Sequence, residues 1–282
     1  MRLKSIKYLL LSIIWTTPLW AQVDTARVDA IFTRFVSGRN PGCALNLVAN
    51  GQSVYEKGYG YASLDLDVPI TPRTVFDIGS VSKQFTAMSI LLLAEEHKLS
   101  LDDDIRTYVP ELPDLGHITV RQLLHHTSGW RDYTDLMALA GWDERDHTTD
   151  QDALDILKRQ RALNFPPGST FRYSNTGFFL MSLVVKRVTG KSLRQFAAER
   201  IFKPLGMNDT QFLDDTRQIV PRRATGYTRG AGGWWLIEMS NWDQTGDGAV
   251  QTTVEDLAKW DTNFYAPTVG TREIVESMAT PG

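Results

Sequence analysis

From Thr86 to Ala94 the chain reads TAMSILLLA, with no charged residue and with apolar or small side chains all round a helical wheel. Such a helix has no face to give to water, so it runs through the middle of its domain and the remaining elements must enclose it. At 282 residues, 42% apolar and 22% charged, the chain can build that enclosure as one large or two smaller domains. The same ordinary balance excludes a disordered or collagen-like chain.

The predicted central helix spans Ser80–His97 and is entered through FDIGSVSKQF, Phe76 to Phe85. Its first turn carries Ser80 and Lys83. Three helical residues advance about 300° and about 4.5 Å, so the two side chains share one face a turn apart. A serine at a helix N-terminus meets free N–H groups and the positive dipole end, both of which favour developing negative charge. Serine is also a standard helix cap, and a chain of this length contains about one Ser-x-x-Lys by chance. Taken alone, the pair fits a capped core helix as well as a nucleophile and its base. The lysine weighs against the capped helix, because a cation opening a buried helix is expensive without a task or a partner.

Elsewhere the periodicity predicts an amphipathic helix through Val28, Ile31, Phe32, Phe35 and Val36, started by Asp24 or Thr25 and stopped by Gly38. Cys43–Ala49 and Gln52–Tyr59 flank Asn50-Gly51, a hairpin signal. Further helices are predicted at Val120–His125, Asp150–Arg161, Thr176–Val188, Ser192–Ile201, Thr253–Phe264 and Thr271–Met278. One hairpin is marginal in water, so more strands are needed. They lie between residues 208 and 250 or follow Gly282.

Arg2, Lys4 and Lys7, the apolar stretch Tyr8–Trp15, Pro18 and Ala21 have the layout of a secretory signal peptide cut after Ala21. The apolar stretch is shorter than the roughly 20 residues a bilayer span needs, so no stable membrane anchor is expected after cleavage. Cleavage removes those three cations and no acid, taking the net charge from −3 to −6. That charge disfavours nucleic acid and anionic membranes as partners. The single cysteine, Cys43, has no intramolecular partner and reads as a strand residue rather than a reactive thiol.

The five histidines, His97, His117, His125, His126 and His147, form no zinc-peptidase pair, and no metal or other cofactor is expected. The sequence has no Gly-x-Ser-x-Gly elbow, phosphate loop or dinucleotide fingerprint. It does have Pro166-Pro167-Gly168, a rigid loop leading to Tyr173-Ser174-Asn175 immediately before a helix. Tyr173 there is a packing tyrosine or a catalytic one, and Asn175 a cap at Thr176 or a substrate ligand.

Together, Phe76-Asp-Ile-Gly-Ser-Val-Ser-Lys83, Leu123-Leu-His-His-Thr-Ser-Gly129, Tyr173-Ser-Asn175 and Gly246-Asp-Gly-Ala-Val-Gln-Thr-Thr-Val-Glu-Asp-Leu257 resemble the penicillin-recognising serine hydrolases. These are class C β-lactamases, D-alanyl-D-alanine carboxypeptidases, D-aminopeptidases and related esterases. The resemblance implies an α+β fold of the β-lactamase/transpeptidase type, an antiparallel sheet flanked by helices plus a mostly helical domain. It divides the chain into a signal peptide, 1–21, and one domain, 22–282. Within that domain, 22–79 form the sheet part, 80–250 the mainly helical part with the active site, and 251–282 the return helices.

It further implies that Ser80 is acylated, Lys83 is its proton partner, Tyr173 is the second base and Asn175 binds the substrate amide. Free lysine and tyrosine hold their protons to about pH 10, so base work at neutral pH needs surroundings worth about 4 kcal/mol. The histidines of Leu123–Gly129 belong by resemblance to a structural loop. The implied protein is a secreted or periplasmic serine hydrolase of an ester, D-amino-acid peptide or amide, or β-lactam. The alternative is a non-turnover module of the same fold that binds a peptide or β-lactam.

Two departures bear on this. The family's third motif, Lys-Thr-Gly or His-x-Gly on a sheet strand, has no match after Tyr173, so the C-terminal strands are expected to be encoded beyond Gly282. The class A motif Glu-x-x-Leu-Asn is met only by Gln160-Arg-Ala-Leu-Asn164, which favours a tyrosine-based site. Substrate contacts are expected from residues 135–150 and from 228–240. Within the latter, the Trp234-Trp235 pair lines a cleft or packs into the core. The oligomeric state is not legible in the sequence.

Overall fold

A computed structural model describes residues 23–143 and 145–280. The expected signal peptide lies outside the described residues. Helix α1, Thr25–Val36, begins where the Asp24 side chain accepts the Arg27 N–H. Strands β1, Cys43–Ala49, and β2, Gln52–Tyr59, pair antiparallel. Asn50 and Gly51, both at positive φ, form the two-residue turn that matches the twist of the strands. α1 lies on β2, where Phe32 stacks on Tyr59 at 4.4 Å between ring centroids. Tyr55, Lys57 and Tyr59 all donate to the Asp29 carboxylate. Cys43 is a half-buried strand residue whose thiol is pushed up by burial.

Short strands β3, Tyr61–Ser63, and β4, Val68–Pro69, lead to β5, Phe76–Asp77. The next element is a 3₁₀ turn at Gly79–Ser82, and helix α2 then runs Lys83–Glu95. The α-helix therefore starts three residues later than the apolar pattern predicts. Gly79 at φ +50 breaks the backbone, the Asp77 carboxylate takes the Gly79 N–H, and the Ser82 hydroxyl accepts the Val250 N–H instead of capping its own helix.

The chain continues through α3, Val120–Leu124; α4, Tyr133–Leu139; α5, Asp150–Lys158; α6, Asn175–Thr189; and α7, Leu193–Ala197, which runs on as a π turn to Phe202. Strands β6, Gln211–Phe212, β7, Tyr227–Arg229, and β8, Trp235–Ile237, lie in the stretch where further strands were expected, and β9, Val250–Thr252, starts at its edge and runs past it. Helices α8, Val254–Tyr265, and α9, Arg272–Met278, follow. Among the described residues the strands form four small sheets, of which β5-β9-β6, with β9 central, lies next to the 3₁₀ turn.

α2 packs against α6, α7 and α9 and buries Phe85, Met88, Ile90, Leu92 and Leu93. α6 buries every residue from Thr176 to Val185. The pair forms the spine of one continuous core that also takes in Trp260 of α8 and Val275 of α9. α4 was not foreseen. It is a seven-residue helix started by an Asp132 side chain bonded to the Thr134 N–H, too short for a periodic signal.

Candidate active site

The 3₁₀ turn presents Ser80 to solvent, while Lys83 is only 7% exposed. The Lys83 ammonium donates to Ser80 Oγ at 3.1 Å, to Asn175 Oδ1 at 2.8 Å and to the main-chain oxygen of Asp247 at 2.6 Å. Three donors thus meet three acceptors, which resolves the cost of a cation at the head of a core helix. The rings of Tyr173 and Phe178 add π faces at 4.9 and 5.5 Å. Ser80 Oγ has a second partner, Tyr173 Oη, which donates to it at 2.7 Å. The structure therefore brings all four predicted residues together.

Tyr173 and Asn175 are placed by two loops bonded edge to edge. Asn164 N donates to Gly129 O, Gly168 N to Thr127 O and Arg172 N to His126 O. Gly129 is at φ +78, and a Cβ there would lie 2.2 Å from the Phe165 carbonyl, so only glycine lets the loops close. This is the structural task of the His125-His126-Thr127-Ser128-Gly129 segment. Asn175 is the first residue of α6 rather than a cap before it. Its N–H bonds the Asp132 carboxylate, which frees its side chain to face Lys83.

Three residues have roles that the sequence does not assign: His126 and Asp247, which lie within the resembling segments, and Tyr133. His126 accepts the Ser174 N–H on Nδ1 at 3.2 Å and packs its ring 4.6 Å from that of Tyr173. Burial, and then the Lys83 charge, hold its pKa below the usual imidazole value. Tyr133, 1% exposed, donates to Asp247 Oδ2 at 2.8 Å. The Asp247 carboxyl is pushed up to about 6 by burial, against the pull of Lys83 and of the Tyr133 bond.

Ser80 and Asn175 line a cleft of about 670 Å³ whose other walls include Tyr133, Trp242 and Glu238. A second cavity of about 570 Å³ shares Glu238 to Ser240 and Trp242 with it and reaches Asp143, Arg145 and Thr228. Of the two stretches expected to contact substrate, 228–240 reaches the Ser80 cleft through Glu238, Met239 and Ser240, whereas 135–150 reaches only the second cavity, through Asp143 and Arg145. The tryptophan pair does not behave as expected. Trp234 is 77% exposed, Trp235 lies under Arg229 at 3.9 Å, and neither lines the cleft. In a two-stranded ribbon with little behind it, these rings have no core to enter.

The model of the beta-lactamase family matches residues 28–280. A penicillin-binding protein of Bacillus subtilis is 30% identical over 246 residues, covering 82% of this chain and 54% of its own. A D-aminopeptidase of Gluconobacter oxydans is 30% identical over 238 residues, covering 84% of this chain and 44% of its own. The chain thus spans about half the length of these relatives. Among solved structures, an octameric penicillin-binding protein homologue from Pyrococcus abyssi superposes with a TM-score of 0.80 at 28% identity, over 91% of this chain and 60% of that one.

Proposed function

Because the chain belongs to the beta-lactamase family, we propose that it is an exported serine hydrolase that forms an acyl-enzyme at Ser80. One observation carries the reading: a solvent-facing Ser80 Oγ lies within hydrogen-bond distance of both Lys83 Nζ and Tyr173 Oη. Both partners are groups able to exchange a proton with it. For acylation Tyr173 must first give up the proton with which it bonds Ser80 Oγ; Ser80 Oγ then attacks the carbonyl carbon, its proton passes to Tyr173 Oη, and Lys83 remains the neighbouring cation. The tetrahedral oxyanion draws on the Ser80 N–H at the head of the 3₁₀ turn. Collapse expels the leaving group, which takes the proton back from Tyr173. Water then attacks the ester, giving its proton to Tyr173, and Ser80 leaves as the alcohol.

Asn175 holds Lys83 through Oδ1, and its Nδ2 is available to a substrate carbonyl. The names of the relatives put D-amino-acid peptides and β-lactams first among substrates to try, and the resemblance of the motifs adds D-amino-acid amides and esters. A fluorescent fluorophosphonate is expected to label the protein at Ser80 and to leave the Ser80→Ala variant unlabelled. Equal labelling of the two would end this reading. Product formed beyond one equivalent separates a hydrolase from a module that binds without turnover.

A further inference from the structure

We propose that Asp247 is a positioning residue for Lys83: its main chain fixes the ammonium, and its carboxyl, held by Tyr133, sets the charge of the frame round that ammonium while Ser80 reacts. The inference rests on the serine-hydrolase reading of the site. Of the three acceptors around Lys83 Nζ, the Asp247 carbonyl at 2.6 Å is the nearest.

The segment that carries this carbonyl is clamped on both sides. Gly246 O accepts the Thr86 hydroxyl at 2.7 Å, and the Val250 N–H donates to Ser82 Oγ at 3.0 Å, so two residues of the α2 region hold it. Gly246, at φ +104, lies so close to α6 that a Cβ would meet the Phe178 carbonyl at 2.3 Å. The side chain is tied in as well. Tyr133 Oη bonds Asp247 Oδ2, and the Tyr133 N–H bonds Thr176 Oγ1 at 2.8 Å. Thr176 follows Asn175, the second acceptor of Lys83. Asp247, Tyr133 and the start of α6 therefore form one frame round the ammonium.

A carboxyl in such a place is costly unless its charge has a use. The titratable groups facing it are Lys83 from α2, and Tyr133 with the helix-capping Asp132 from α4. Burial and Asp132 push its pKa up, while Lys83 and the Tyr133 bond pull it down, and it comes to about 6. Ionised, it places an opposite charge in the frame that holds the Lys83 cation beside Ser80. Protonated, it withdraws that support.

The test measures the rate at which the fluorophosphonate labels Ser80 in the full-length protein, from about pH 5 to about pH 9. The wild type is expected to show an inflection near the Asp247 value. Asp247→Asn, which retains an acceptor for Tyr133, is expected to lose the inflection and to label about ten-fold more slowly at about pH 8. Tyr133→Phe removes a bond that favours the carboxylate, so the inflection should move to higher pH. Labelling of all three proteins with one rate and one pH profile overturns the inference alone. An unlabelled wild type overturns the hydrolase reading and the inference with it. Circular dichroism and melting separate a misfolded Asp247→Asn from a slow one, and in that case Tyr133→Phe decides: an unmoved inflection overturns the inference.

Discussion

At the scale of single residues, His126 shows how a group that need not touch substrate can decide where a reactive one sits. Its Nδ1 is the acceptor for the Ser174 N–H, and its ring backs that of Tyr173. In His126→Ala the N–H of buried Ser174 loses its partner, a loss of about 1–3 kcal/mol, and Tyr173 loses its backing. Labelling of Ser80 by the fluorophosphonate is expected to slow about ten-fold or more. The sign of the pH effect follows from the direction of the shift. The folded pKa lies below the unfolded one, so the contribution of His126 is complete above the ordinary imidazole value and is lost as pH falls from there towards the depressed folded value. A wild-type urea midpoint that drops between about pH 7 and about pH 5, and drops less in His126→Gln, is the expected result. Equal drops in both proteins would remove His126 from this account.

At the scale of elements, two glycines at nearly the same φ have different reasons to be glycine. Gly129 and Gly190 lie at φ +78 and φ +73, but a Cβ on Gly129 meets the Phe165 carbonyl whereas one on Gly190, past the end of α6, meets nothing. Gly190→Ala should lose about 1 kcal/mol, the strain of the left-handed region alone. Gly129→Ala should lose about 3 kcal/mol or more and free the loop that carries Tyr173. Melting temperatures check the first difference, and Ser80 labelling, retained in Gly190→Ala and lost in Gly129→Ala, checks the second.

The same elements mark what could be read from sequence. Helices with a long apolar pattern, α2 and α6, and the hairpin at Asn50-Gly51 were legible because their signal is local and periodic. So were Ser80, Lys83, Tyr173 and Asn175, through spacing and resemblance. α4, the two- and three-residue strands, and the roles of His126, Tyr133 and Asp247 were not. A strand such as β9 is defined by its partners β5 and β6, far away in sequence, and a main-chain acceptor for Lys83 is recognised only once the chain has brought residue 247 back to residue 83.

At the scale of the whole molecule, the carboxyls divide into those that hold the fold and those that strain it, and pH separates them. Asp29, which joins α1 to the hairpin, is held at about 2, its largest cause being the Lys57 bond, followed by those from Tyr55 and Tyr59. Its contribution is present above the ordinary carboxylate value and is lost as pH falls through about 2. Asp247 has the opposite sign. Its folded pKa, about 6, lies above the unfolded value near 3.8, so nothing is lost while both states are protonated, and stability declines as pH rises from the lower value through the upper one. Two pH units at 1.36 kcal/mol each set an upper scale of about 3 kcal/mol above that window. Asp247→Asn, which has no charge to bury, is then expected to melt several degrees above the wild type at about pH 8, with the gap closing as pH falls to about 4. Asp29→Asn should run the other way, melting below the wild type from about pH 4 upward and converging with it in stronger acid. An Asp247→Asn protein that labels slowly yet melts higher would place the cost of this carboxylate where the chemistry is, since loss of a structural group lowers stability and activity together. A variant less stable than the wild type at about pH 8 would instead make Asp247 a support of the fold, and its ionisation would then favour the native state rather than oppose it.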